Sequence, residues 1–132
     1  MRKSNSDNKN KLLTPLELKV MNILWKIKKG VVWDVLEEWP GPESEKPKYN
    51  TVSTIVRLLE DRGFIGHNAF GRTHQYFPTI SRFVYQKKLM SSVLENAFSG
   101  SVSGLVSALL DNENLTEIEA KEIEEMINKT DK

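Results

Sequence analysis

The sequence predicts a mostly α-helical protein that contains one small antiparallel β-hairpin. Apolar residues recur three and four positions apart over most of residues 12–128, which is the spacing of amphipathic helices. Residues 64–78 instead contain two short runs of β-forming residues around Gly71, which is typical of a hairpin. Thr or Ser capping signals precede several of the helical patterns and indicate where those helices begin.

The chain begins with a polar tail and a strongly capped helix. Residues 1–11 hold no apolar side chain beyond the first residue, and we expect them to be disordered. Thr14, Pro15 and Glu17 have the pattern of a helix cap, a first helical residue and a capping-box partner. We expect this first helix to end near Gly30.

A short second helix is predicted at residues 33–39, after a very short third strand of the hairpin sheet at Val31 and Val32. Platforms that stack nucleotides usually have basic surroundings, whereas this segment is acidic. We therefore expect Trp33 and Trp39 to lie in the core. Residues 40–48 include three prolines and are predicted to be a loop.

Residues 48–63 carry the most informative pattern in the chain. We expect one helix, with Asn50 as its N-cap and Gly63 just past its end. One side of this helix is an apolar stripe, and the opposite side holds only polar residues. The stripe consists of Val52, Ile55, Val56 and Leu59, and the polar side consists of Asn50, Ser53, Thr54 and Arg57.

This polar side has the chemistry of a helix that lies in the major groove of DNA. Arg pairs with guanine, Asn pairs with adenine, and Ser or Thr contacts base edges or phosphate. The alternative explanation is an ordinary solvated helix face. A hairpin directly after the helix favours DNA binding, because that order is typical of a winged helix-turn-helix. We expect Arg72 near the tip of this wing, where it can contact phosphate or the minor groove.

The remainder of the chain, residues 81–132, is predicted to be a helical dimerisation domain that follows a winged-helix DNA-binding domain at residues 12–80. Three helical patterns occupy it, and a capping box at Thr116 and Glu119 opens the last of them. So short a segment buries its own apolar faces poorly. Because recognition helices of this kind act in pairs, we expect pairing with a second copy. The alternative is a helical extension that completes one monomeric core. The expected interface residues are Val84, Met90, Val93, Leu94, Ala97, Leu105, Leu109, Ile123 and Ile127.

Composition narrows the function classes. The chain has no Cys, which excludes disulfides and thiolate metal sites, and it has no apolar run long enough to span a bilayer. We expect a cytoplasmic protein without a cofactor or metal, since His67 and His74 alone do not complete a zinc site. No catalytic motif is legible, so an enzyme is not expected.

The charges are distributed unevenly along the chain, although the net charge is only +1. Residues 1–80 carry 13 Lys and Arg against 9 Asp and Glu, whereas residues 81–132 carry 6 against 9. This asymmetry fits one half that faces DNA and one half that faces a protein partner.

The order of these elements resembles the penicillinase-repressor family, the BlaI/MecI type of winged-helix repressor. The likeness is carried by residues 18–25 in the first helix, 51–55 and 62–65 around the recognition helix, 75–77 in the hairpin and 104–106 in the C-terminal region. The resemblance implies a homodimer that binds a palindromic DNA operator and represses transcription. It also implies base reading by Asn50, Thr51, Ser53 and Thr54.

The resemblance further implies a regulatory protease as a partner, because the best-known members are inactivated by cleavage of an Asn–Phe bond. The matching bond in this chain joins Ala108 and Leu109. Copper-sensing relatives carry a C-terminal cysteine cluster, which is missing here. The alternative function is a winged-helix protein-interaction module that does not bind DNA, and the near-neutral net charge slightly favours that alternative.

Overall fold

A computed structural model describes residues 12–130, so the tail predicted at residues 1–11 lies outside the described residues. Within this range the chain is mostly helical with one antiparallel hairpin, and a 3-10 turn at Glu43–Glu45 lies in the proline-containing loop. The predicted class, a winged helix-turn-helix followed by a helical region, is confirmed. The elements are α1 (Pro15–Ile27), α2 (Val32–Glu37), α3 (Tyr49–Asp61), β1 (Ile65–Phe70), β2 (Thr73–Pro78), α4 (Arg82–Asn96), α5 (Val102–Leu110) and α6 (Glu117–Thr130).

The chain divides into two compact units, one that extends through Lys88 and one that begins at Leu89. Helix α4 therefore contributes residues to both units. The functional boundary that the sequence places between residues 80 and 81 stays a prediction. None of the helices in the described range has the length and apolar character needed to cross a lipid bilayer.

The core of the first unit is built from one side of each of its helices. Its largest fully buried side chains are Phe64, Met21, Leu24, Leu59, Val20, Val35, Val52 and Val56. Tyr85, near the start of α4, packs on this core with its ring 6.1 Å from the rings of Trp25 and Phe64. Its hydroxyl accepts a hydrogen bond from the backbone N–H of Leu13 at 2.9 Å. Burial of such apolar side chains contributes about 1.5–3 kcal/mol each, so this packing determines how α3 is held.

The start of α1 is capped as predicted and is also tied to the end of α3. Thr14 Oγ1 accepts a hydrogen bond from the Glu17 N–H at 3.2 Å, and Glu17 Oε1 accepts one from the Thr14 N–H at 2.9 Å. The same Glu17 carboxylate accepts two hydrogen bonds from Arg62 Nη1, at 2.9 and 3.1 Å. Arg62 follows the last residue of α3, so this ion pair joins the two helices. Gly63, at φ 84°, comes directly after it, as predicted.

The prediction that Val31 and Val32 form a third strand is wrong. Val32 is the first residue of α2, because Asp34 Oδ2 accepts a hydrogen bond from the Val31 N–H at 2.9 Å and closes the helix start. The sheet is instead reached by Gly30, which exchanges two backbone hydrogen bonds with Tyr76, at 2.9 and 2.8 Å. A glycine at position 30 also leaves room for neighbouring side chains, because a Cβ there would lie 2.8 Å from Ile27 Cδ1 and 3.0 Å from Asp34 Cβ.

The prediction that Asn50 is the N-cap of the recognition helix is also wrong. Helix α3 begins at Tyr49, and Lys48 occupies the cap position without a side-chain capping bond. The Tyr49 ring lies 4.8 Å from the Trp33 ring, so an aromatic contact accompanies the first turn of α3 where a polar cap was expected. Asn50 is therefore a residue of the first turn.

The second unit follows the predicted helix starts but buries little of its apolar surface. Ser101 Oγ accepts a hydrogen bond from the Gly104 N–H at 3.0 Å and caps α5. Thr116 and Glu119 form the predicted capping box at α6, with bonds of 3.1 and 3.2 Å. No side chain among residues 89–129 is buried. These helices thus leave apolar side chains in contact with solvent.

Candidate nucleic-acid interface

Helix α3 turns one polar side to solvent because its apolar stripe is buried. Val52, Val56 and Leu59 have no exposed surface, and Ile55 is only 8% exposed. On the other side, four of the residues predicted to contact DNA are exposed and Ser53 is half-buried. The exposed four are Asn50, Thr51, Thr54 and Arg57. Their contact with DNA stays a prediction, but the division of α3 into two sides is observed.

Two side chains on the polar side bond to the backbone of their own helix. Thr54 Oγ1 donates to the Asn50 carbonyl at 2.9 Å, which leaves the hydroxyl oxygen able to accept a hydrogen bond from a base. Arg57 Nε donates to the Ser53 carbonyl at 3.3 Å, which is long for an N–H···O bond. The two terminal nitrogens of Arg57 are not used in this bond. They suit the bidentate contact that Arg makes with guanine.

The wing is a tight hairpin whose tip carries Arg72. Phe70 pairs with Thr73 at the end of the sheet, so Gly71 and Arg72 form a two-residue turn. Gly71 has a φ of 63°, as favoured at the first central position of such hairpin turns. Arg72 is exposed at this tip, where the sequence predicted it.

A concave surface lies between α3 and the wing. Ser53 and Arg57 line it from α3, and Arg72, Thr73 and His74 line it from the hairpin. No acidic side chain is among the described residues that line it. The fold therefore brings together two guanidinium groups that lie fifteen positions apart in the sequence. Of the predicted contact residues, Asn50, Thr51 and Thr54 are on α3 but do not line this surface.

Two aromatic residues on the concave surface were not predicted as functional. Trp33 is 65% exposed and Tyr49 is 40% exposed, with ring centroids 4.8 Å apart at an angle of 44°. The expectation that Trp33 lies in the core is wrong, whereas Trp39, 7% exposed, is in the core as predicted.

The spacing of apolar residues in α2 could have identified Trp33 as an outlier. The buried residues Val32, Val35 and Leu36 follow the helical pattern of i, i+3 and i+4. Trp33 comes one position after the start of this stripe and therefore points away from it. Composition alone led to the wrong expectation, since tryptophan is usually a core residue.

The wing contacts α3 through His67, which also stacks on His74. His67 on β1 and His74 on β2 stack with ring centroids 4.1 Å apart and nearly parallel planes, at 12°. His67 Nδ1 lies 2.5 Å from Glu60 Oε2 of α3. The two histidines thus lie next to each other across the hairpin. Within residues 12–130, no group of three or more His, Asp or Glu side chains could hold a metal ion.

Tyr76 connects the concave surface with the core. Its side chain is 5% exposed, and burial raises the pKa of its phenol. The carboxylate of Glu60 acts in the same direction on this pKa, while the guanidinium of Arg57 opposes it and Tyr49 adds a smaller increase. The Tyr76 phenol therefore stays neutral to a higher pH than a solvent-exposed tyrosine does.

The residues predicted to form a dimer interface all keep some solvent exposure. Val84, Met90, Leu109 and Ile127 are 43%, 50%, 41% and 37% exposed. The other five are exposed or half-buried, namely Val93, Leu94, Ala97, Leu105 and Ile123. The bond between Ala108 and Leu109 lies within α5, and both residues are exposed.

Comparison with known proteins extends over nearly the whole described range. The sequence profile of the family described as "Penicillinase repressor" matches residues 13–129. The methicillin resistance regulatory protein MecI of Staphylococcus aureus strain N315 is 26% identical over 123 residues, which cover 93% of this chain and 98% of that relative. The penicillinase repressor of Bacillus licheniformis is 26% identical over 115 residues, which cover 87% of this chain and 88% of that relative. Because the family match spans both compact units, this chain belongs to the penicillinase repressor family and is a transcriptional regulator rather than an enzyme.

Proposed function

We propose that the protein is a cytoplasmic, homodimeric repressor that binds a palindromic DNA operator through α3 and the wing. The single observation that carries this proposal is the polar side of α3, which is exposed beside the two arginines of the concave surface. In this proposal α3 lies in the major groove, and Arg72 contacts phosphate or the minor groove. The repressor relatives support repression as the mode of regulation.

Affinity and sequence choice come from different side chains in this proposal. Contacts of Lys and Arg with phosphate supply most of the affinity and make it dependent on salt. Asn50, Thr51, Ser53, Thr54 and Arg57 choose the base sequence, because hydrogen bonds to base edges distinguish one base pair from another. An Arg contact with guanine and a Thr contact with a donor on a base are both compatible with the bonds observed on α3.

Dimerisation is supported by the exposed apolar residues of the C-terminal helices. No side chain among residues 89–129 is buried, although the helices carry apolar side chains at helical spacing. A second copy of the chain can bury this apolar surface, because symmetric pairing places equivalent apolar residues against each other. In a dimer on DNA, two recognition helices enter successive major grooves roughly 34–36 Å apart. A regulatory protease is implied by the family resemblance alone, and Ala108 and Leu109 stand where the cleaved Asn–Phe bond of the best-known members would be.

The DNA-binding proposal is tested by selecting bound sites from a pool of random duplexes and then measuring variants. Selection is expected to return a palindrome whose half-sites lie about one helical turn apart. Thr54→Ala is expected to weaken binding to the selected duplex by about 1–3 kcal/mol and binding to random duplex much less. Thr54 is exposed, and its side chain donates a hydrogen bond to its own helix at Asn50, so the fold should tolerate the change.

Two controls separate base reading from general weakening. Asn22→Ala changes an exposed asparagine of α1 and should leave both affinities unchanged, whereas Asn50→Ala should act like Thr54→Ala. Equal loss on both duplexes after Thr54→Ala would contradict a base-reading role. Absence of binding to any duplex at low salt would instead support a protein-interaction module, since electrostatic binding to DNA is strongest there.

The dimer is tested by sedimentation of two variants of α5. Leu109→Glu places a charge on a predicted interface residue and is expected to give monomers that bind the operator weakly. Ser107→Glu introduces the same charge at an exposed position of the same helix and is expected to sediment as wild type. Wild-type protein that sediments as a monomer at micromolar concentration would remove the basis for pairing.

A further inference from the structure

The aromatic pair of Trp33 and Tyr49 is the most exposed apolar part of the concave surface between α3 and the wing. Trp33 is 65% exposed, which leaves most of a large apolar side chain in water. Its ring contacts the Tyr49 ring, and both residues border the surface lined by Arg57 and Arg72. A grouped set of exposed aromatic side chains that adjoins charged residues usually marks a site of interaction.

We propose that Trp33, with Tyr49 beside it, contacts the sugar–phosphate backbone of the DNA strand that passes between α3 and the wing. This inference rests on the proposed function and adds a binding residue to it. The indole ring covers the apolar side of a deoxyribose, and the indole N–H donates a hydrogen bond to a phosphate oxygen. The Tyr49 hydroxyl is a second donor toward the same strand.

The position of Trp33 in the fold favours the backbone over the base edges. Trp33 belongs to α2, the helix that precedes the recognition helix. In helix-turn-helix proteins the first helix of the pair crosses the DNA backbone while the second lies in the groove. Trp33 and Arg57 border one concave surface, so the strand whose base Arg57 reads passes next to the indole ring.

The charges on the concave surface favour a polyanion over a peptide. Arg57 and Arg72 line it from opposite sides, His74 adds a third basic group, and the described lining contains no carboxylate. The surface is also continuous with the exposed polar side of α3 through Ser53. An apolar peptide would leave both guanidinium groups without a counter-charge, which is costly when they are covered.

The contact is tested first by acrylamide quenching of tryptophan fluorescence with and without the selected duplex. Trp39 is buried and Trp25 is half-buried, so the component that acrylamide quenches most is expected to come from Trp33. Adding the duplex is expected to protect this component in the wild-type protein. In Trp33→Phe the protected component should be missing, although DNA binding persists.

Affinity measurements on the same duplexes give the second readout. Trp33→Ala is expected to weaken binding to the selected duplex and to random duplex about equally, by about tenfold, as for one large apolar contact. The salt dependence should not change, because indole carries no charge, whereas Arg72→Ala should reduce it. Phe83→Ala is a matched control, since Phe83 is 67% exposed and lies outside the concave surface.

The outcomes separate this inference from the proposed function. If the wild-type protein binds duplex DNA but Trp33 stays equally quenchable and Trp33→Ala binds as wild type, the inference is wrong and the repressor stands. A loss confined to the selected duplex would overturn the backbone assignment in favour of a base contact. If no duplex is bound at low salt, the proposed function is wrong, and the inference about Trp33 is wrong as well.

Discussion

The ion pair between Glu17 and Arg62 gives the sharpest test of how α3 is held against α1. Glu17→Gln removes the negative charge but keeps an amide oxygen that can accept from Arg62 and from the Thr14 N–H. Gln is also a normal capping-box residue at this position. The variant therefore isolates the effect of the counter-charge and leaves the start of α1 intact.

The expected magnitude follows from burial of the two partners. Glu17 and Arg62 are 13% and 14% exposed, with an N···O distance of 2.9 Å. The substitution removes a short ion pair between two side chains that are largely covered, which should lower the free energy of unfolding by about 2 kcal/mol. Glu38→Gln is the matched control: Glu38 pairs with Lys26 at 2.8 Å, but these side chains are 40% and 69% exposed. That change should cost less than about 1 kcal/mol.

Urea denaturation measures both variants at the same protein concentration, because the stability of any protein that self-associates depends on concentration. The slope of the free energy of unfolding against urea concentration should match that of the wild type. The midpoint urea concentrations then report differences in stability. Equal losses for Glu17→Gln and Glu38→Gln would refute the reasoning, since the two pairs differ mainly in burial. A changed slope would show that the substitution alters the unfolded or folded ensemble instead.

Three further predictions concern the wing and the first helix. Gly30→Ala should lower the free energy of unfolding by about 1–3 kcal/mol, measured by urea denaturation, because its Cβ would meet Ile27 and Asp34 within 3.1 Å; unchanged stability would contradict this packing. Thr14→Ala should cost about 1 kcal/mol in the same assay, and a neutral effect would mean that the capping box contributes nothing. Burial raises the pKa of Tyr76 above that of the unfolded chain. The contribution of the neutral phenol to the free energy of unfolding is therefore complete below a pH of about 10, and it is lost as the pH rises through the pKa of Tyr76 in the folded protein. Tyr76→Phe should therefore lose less stability than the wild type on going to alkaline pH, and equal losses would argue against a raised pKa.

The local features of the fold were legible in the sequence because neighbouring residues decide them. The capping boxes at Thr14 and Thr116 depend on a residue three positions away, and both form as predicted. The buried and exposed sides of α3 follow from the helical period alone. The hairpin follows from its β-forming runs around Gly71. For the same reason the sequence also predicted which polar side chains α3 exposes.

Contacts between distant parts of the chain were decided only by the tertiary structure. The sequence does not show that Gly30, not Val31 and Val32, pairs with Tyr76, because that choice depends on how Asp34 closes the start of α2. Nor does it show that Trp33 stays exposed beside Tyr49, since packing of the neighbouring apolar stripe turns the indole outward. The meeting of Arg57 with Arg72 on one concave surface likewise requires the wing to be held against α3, which no residue pattern along the chain encodes by itself.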